Sequence, residues 1–141
     1  MIARDDRVMT TDQNEAAIRA AYDAYTAGDI EGLLAFFSPD LEWTYLDPSV
    51  ENPAPQVCRG LVELRRALHR QADQGLKARI EEVRVNGSEV VAVIHIPGVD
   101  QLRARQSNDR SYDVFSFSDG RIVALRACVD LPQALQVAGL T

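Results

Sequence analysis

SYDVFSFSDGRIVALRACV, residues 111–129, holds two runs of alternating side chains around Asp119-Gly120. An Asp-Gly pair between such runs closes a β-hairpin, because a turn matching strand twist needs positive φ at both central positions. On the first run, alternation puts Asp113, Phe115 and Phe117 on one face. Upstream, Asn86-Gly87 separates EEVRV from SEVVAVIHI and predicts a second hairpin of the same kind, again with positive φ at both residues. In that run His95 alternates with Val91 and Val93, opposite Ala92, Ile94 and Ile96. Pro97-Gly98 and Ser107-Asn108-Asp109 mark further turns, and Arg103 and Arg105 share one face of a strand opposite Leu102 and Ala104. Four consecutive strands after Leu76 are therefore expected. Beyond Asp130, Pro132 suits the first turn of a short C-terminal helix, LPQALQVAGL.

The N-terminal half reads differently. Residues 1–11 show no period and predict a flexible tail. Asp12-Gln13-Asn14-Glu15 has the form of a capping box, followed by Ile18, Ala21, Tyr22 and Tyr25 at helical spacing and by Gly28 as a C-terminal cap. A second short helix starts at Asp29, with Leu33, Leu34, Phe36 and Phe37 as its apolar members, and Ser38-Pro39-Asp40 stops it. Leu41 to Leu46 alternates as a strand, with Leu41, Trp43 and Tyr45 on one face. Asp47 to Gly60 holds Pro48, Pro53 and Pro55 and predicts a long loop. A third helix follows, with Leu61, Leu64 and Leu68 as its stripe and Gly75 at its end. Segregated elements like these predict an α+β fold in one domain, residues 12–141. Its core is a cone-shaped, curved antiparallel sheet with three helices on the concave side.

Composition narrows the partners. The 141 residues are 46% hydrophobic and 26% charged, the make-up of one soluble globular domain. Lys and Arg total 15 against 21 Asp and Glu, for a formal net charge of -6. That balance disfavours nucleic acid and anionic membrane as partners. The charged N-terminus lacks the apolar stretch of a secretory signal, and no run of 18 or so apolar residues occurs, so a cytoplasmic location is expected. Cys58, Cys128, His69 and His95 lack metal-ligand spacing, and no cofactor motif appears, so neither metal nor cofactor is expected.

Two stretches resemble the SnoaL-like and ketosteroid isomerase branches of the nuclear transport factor 2-like superfamily. AGDIEGLLAFFSPDLEW (27–43) is similar to the family's first helix junction and first strand, and residues 111–140 to its last hairpin and terminal helix. The resemblance spans Ala16 to Leu140. It implies the cystatin-like roll, a pocket inside the cone and a homodimer built through the sheet. Function varies widely on this fold, so the site must be argued from residues.

Asp113, among aromatic rings, is expected to hold its proton more tightly than an ordinary carboxyl. A neutral Asp of this kind donates a hydrogen bond to the enolate in ketosteroid isomerase, and the resemblance carries that role to Asp113. A solvent-edge position for Asp113 is the plain alternative. The family's Asp-Pro base falls on Asp47-Pro48 with a two-residue shift, which is equally a way to end a strand. Its helix-one tyrosine falls on Ala21, leaving Tyr22 or Tyr25 to substitute. His95 is a second candidate base, since imidazole transfers protons near neutral pH. Arg103 matches the arginine of the limonene epoxide hydrolase branch, but Arg105 and Ala127 stand where that branch has Asp. An inward Arg103 would instead favour an anionic ligand.

The expected pocket is mostly apolar, lined from Tyr22, Tyr25, Phe37, Trp43, Tyr45, Phe115 and Phe117. It suits a small apolar or carbonyl-bearing ligand. Three functions fit: cofactor-independent isomerisation or cyclisation, non-catalytic binding of a hydrophobic metabolite, or an accessory role in assembly. In the first, Asp47 or His95 removes the proton while Asp113 and a tyrosine stabilise the enolate.

Overall fold

The parallel pairing of an early strand with the last one organises the molecule. The computed structural model describes residues 2–45, 54, 56–73, 75, 77–96 and 110–140. In chain order these form α1 (Ile2–Thr26), α2 (Ile30–Leu34), β1 (Phe37–Tyr45), β2 (Gln56–Arg59) and α3 (Leu61–Asp73). β3 (Arg79–Asn86), β4 (Glu89–His95), β5 (Arg110–Ser118), β6 (Arg121–Cys128) and α4 (Leu131–Val137) complete the domain. The six strands make one curved, unclosed sheet in the order β2-β1-β6-β5-β4-β3. All neighbours run antiparallel except β1 and β6, where Trp43 pairs with Leu125. Bulges interrupt β3–β4 near Ile80 and β5–β6 near Ser116, where an extra residue bends the strand and increases its twist.

Alternation sorts the side chains onto two faces. Val90, Ala92, Ile94, Phe115, Phe117 and Ile122 point inward and pack with Ile18, Ala21 and Tyr25 of α1, Leu33 and Leu34 of α2, and Leu64 of α3. On the other face Val91, Val114 and Cys128 meet Ala134 and Ala138 around α4. Three helices therefore sit on the concave side, as the pattern predicts, and the short C-terminal helix lies behind. Asp130 caps α4, its Oδ1 accepting from Gln133 N at 2.9 Å.

Three local expectations need correction. The helix expected from Asp12 begins at Ile2, so the stretch read as a tail is helical. Residues 2–11 contain neither Pro nor Gly, and a helix nucleated by its packed end extends at little cost. The second helix stops at Leu34, and Phe37 opens β1 instead of closing that helix. The cause is tertiary, since Ile122 N donates to the Phe36 carbonyl at 2.9 Å and draws the chain onto β6. Part of the loop expected from Asp47 to Gly60 is β2, an edge strand paired with β1.

The two hairpin turns also differ. Asp119 and Gly120 take φ of 52° and 78°, as expected for their turn. At the other hairpin Gly87 alone takes the positive φ, 60°, while Asn86 stays paired opposite Glu89. Glycine at the first central position is what a type II′ turn requires. The asparagine works elsewhere: its Nδ2 donates to the Ala138 carbonyl at 2.7 Å, tying the turn to α4. Buried Asn14 of α1 donates to Gly87 O at 3.5 Å on the other side.

Candidate functional site

Asp113 occupies the middle of β5, with Ala92 of β4 and Ala127 of β6 as its cross-strand neighbours. Both neighbours carry only a methyl group on the concave face that Asp113 shares with Phe115 and Phe117. The residue is half-buried, so it does not stand in bulk solvent. Ser111, two residues earlier on the same face, donates its hydroxyl to Asp113 Oδ1 at 3.2 Å.

α1 supplies the opposing group. Tyr22 lies edge-on against Phe115, with ring centroids 6.3 Å apart and planes at 86°. That geometry sets a positive ring edge on a negative ring face. Desolvation, then the negative charge of Asp113, then Tyr25 push the Tyr22 hydroxyl well above the usual tyrosine pKa. Tyr25, one turn on, is raised by burial. At neutral pH both phenols therefore remain O–H donors.

Tyr22 also lines a groove of about 540 Å³ between α1 and the start of β3. Arg19, Asp23 and Thr26 of α1 form one wall. Lys77, Ala78, Arg79, Ile80 and His95 form the other. The walls are joined where Thr26 Oγ1 donates to the Ala78 carbonyl at 3.0 Å. The volume lies within the roughly 300–1,000 Å³ typical of small-molecule sites.

The expected site residues divide by position. Tyr22 and His95 share the groove, and Tyr22 faces Asp113, which is not among the groove's lining. His95 keeps the predicted alternation but sits at the strand end beside Arg79, whose Nη2 lies 3.3 Å from His95 Nδ1. Its register partner is Arg110, which makes a bidentate pair with Glu81 at 2.7 and 3.1 Å. That hydrogen bond, aided by the nearby charges of His95 and Arg79, holds the Glu81 carboxyl below the usual range. Phe37, Trp43, Phe115 and Phe117 are buried in the core behind the groove, together with Tyr25. Asp47, Arg103 and the Tyr45 side chain lie outside the described residues.

Other sequence readings resolve similarly. Arg126 of β6 pairs with Glu89 of β4 at 3.5 Å. Cys128 is buried under α4, and desolvation pushes its thiol to about 11, so it is no nucleophile. His69 is exposed on α3. The groove residues Arg19, Asp23, Thr26, Lys77 and Arg79 escaped the sequence reading. Each belongs to an ordinary solvated pattern on its own element, and only the packing of α1 on β3 brings them together.

Among the described residues no helix is long and apolar enough to cross a membrane. Comparison with solved structures returns the same architecture in bacterial and environmental proteins. Bal32a, from a soil-derived mobile gene cassette, superposes with a TM-score of 0.66 at 20% identity, covering 92% of this chain and 98% of its own. A candidate polyketide cyclase of Sinorhizobium meliloti gives 0.60 at 20% identity, covering 80% and 94%. A second candidate polyketide cyclase, from Xanthomonas campestris, gives 0.61 at 19%, covering 94% and 99%. No curated protein matches the sequence. The family model for the SnoaL-like domain matches residues 18–125, from the α1 stripe through most of β6. With its cone, helices and terminal hairpin accounted for, the chain belongs to the SnoaL-like domain family of the nuclear transport factor 2-like superfamily.

Proposed function

We propose that this protein is a cofactor-independent acid/base catalyst acting on a small carbonyl compound, in an isomerisation or an aldol-type cyclisation. The observation that carries the reading is Tyr22. Its hydroxyl is desolvated and so kept protonated, and the residue lines the groove. A donor held in a water-poor site stabilises charge that develops on a carbonyl oxygen far better than the same donor in water.

In this mechanism the substrate carbonyl accepts a hydrogen bond from Tyr22, and Asp113, beyond Tyr22 on the concave face, adds a second donor in the molecules where it carries a proton. His95 on the facing wall takes the proton from the adjacent carbon, with Asp47 as the other candidate base. The pair of electrons left by that proton moves to the oxygen, giving an enolate. Reprotonation at another carbon isomerises the substrate, while attack of the enolate on a second carbonyl closes a ring. The candidate cyclases among the structural neighbours support this class of chemistry.

Both outcomes begin with loss of the same proton, so exchange of that proton tests the proposal without the natural substrate. Deuterium incorporation from heavy water into apolar ketones, followed by NMR, is expected with the wild type. Removing one donor from such a site costs about 10²–10³ in rate, and Tyr22→Phe and Asp113→Asn should each lose that much while keeping their circular dichroism. Exchange that is absent in the wild type, or unchanged in both folded variants, overturns the proposal. Ketone binding that persists equally in Asp113→Asn would then identify a binding module.

A further inference from the structure

We infer that the groove takes a substrate with a carboxylate or similar anionic group at one end and its carbonyl at the other. This rests on the reading of the groove as the substrate site. The chain as a whole carries a formal charge of -6, yet the groove is lined by Arg19, Lys77 and Arg79 against Asp23. Local reversal of an acidic protein's sign at a concave site concentrates anions there.

The three cations are not equivalent. Arg19 is occupied by Glu15 at 3.1 Å on its own helix. Arg79 faces Glu81 at 3.8 Å, but Arg110 holds that carboxylate with two shorter bonds, leaving Arg79 donors to spare. Among the described residues no carboxylate pairs with Lys77, not even Asp23 in the same groove. Lys77 lies one residue before Ala78, which directly precedes β3 and whose carbonyl is bonded to Thr26. Its backbone position is thus fixed against α1 while, among the described residues, no carboxylate holds its ammonium.

Polarity also changes along the groove. Lys77 and Arg79 are exposed, whereas Tyr22 reaches the desolvated concave face. Ala78 and Ile80 lie on the same wall as the two cations and offer apolar surface. A ligand matched to this order has an anionic head, a short apolar body and an inner carbonyl. The head satisfies Lys77 by a charge-assisted hydrogen bond, which is stronger than a neutral one. Anchoring it would also fix the distance at which the carbonyl meets Tyr22.

Two ketones of matched length test the inference: 6-oxoheptanoate, with a terminal carboxylate, and 2-heptanone, without one. Binding is followed by NMR titration of the full chain, independently of turnover. The keto acid is expected to bind at least tenfold tighter at low ionic strength, with the advantage shrinking as salt is added. Lys77→Gln should bring its affinity down to about that of the ketone, and Lys77→Arg should restore most of the difference. Equal binding of the two probes to the wild type, or a preference that survives Lys77→Gln, overturns the inference. Proton exchange in both ketones, read on the same samples at saturating concentration, reports the catalytic proposal separately. Exchange without carboxylate preference removes the anionic substrate class only, whereas preference without exchange removes the catalysis and leaves an anion-binding groove.

Discussion

The two faces of the sheet are built from the same strands, and they obey different physics. On the concave side Phe115, Ile94 and Ile122 are at most 1% exposed and merge with three helices into one apolar cluster. On the convex side a small patch under α4 is buried, and around it run ion pairs: Arg110 with Glu81, Arg84 with Glu82, Arg126 with Glu89. Burial on one face makes packing the dominant energy. On the other, water screens each pair and holding two long side chains in place offsets much of the attraction. Polar groups on the concave face are few, and the Tyr22 hydroxyl among them is raised well above the usual tyrosine pKa because so little water reaches it.

The contrast breaks most visibly at Phe115. Truncation to alanine removes a ring from the centre of the concave core and the edge contact of Tyr22, and should lower stability by about 3–5 kcal/mol. Urea unfolding measures it, and a loss below 1 kcal/mol would mean that this face is not the stabilising one. A second, smaller effect concerns pH. Burial lifts Cys128 from 9.0 to about 11, so between these values the folded chain keeps a proton that the unfolded chain has released. Its contribution is full below pH 9 and is lost as pH rises toward 11. Tyr22 acts in the same direction at higher pH, above the ordinary tyrosine value. Urea midpoints across this range should fall, and Cys128→Ser should flatten the part between pH 9 and 11. A slope identical to the wild type's would remove the thiol as its source. The smallest change is expected on the convex rim, where Arg126→Ala should shift stability by no more than about 0.5 kcal/mol. A loss comparable to that at Phe115 would erase the distinction between the faces.

Where strand period and turn chemistry coincide, the sequence is legible. Asp119-Gly120, the α1 stripe of Ile18, Ala21 and Tyr25, and the shared face of Asp113, Phe115 and Phe117 all follow from local rules. Gln56–Arg59 was hidden because a four-residue edge strand shows little alternation, and its partner in β1 supplies the register. Phe37 was misplaced because its apolar character suits both a helix stripe and a strand. A hydrogen bond from distant Ile122 decides between them. The candidate site was half legible: Tyr22 and His95 carry chemistry in their own side chains. Lys77 and Arg79 look like any solvated cations until α1 is laid beside them.

The side-by-side alignment of β1 with β6 has a consequence for how the molecule comes into being. Trp43 finds its neighbour Leu125 only after most of the chain has been made, so during synthesis the first strand must wait with one edge unsatisfied. Closure of the sheet is therefore set by its topology: it waits for the final hairpin to slot in beside a strand that left the ribosome long before.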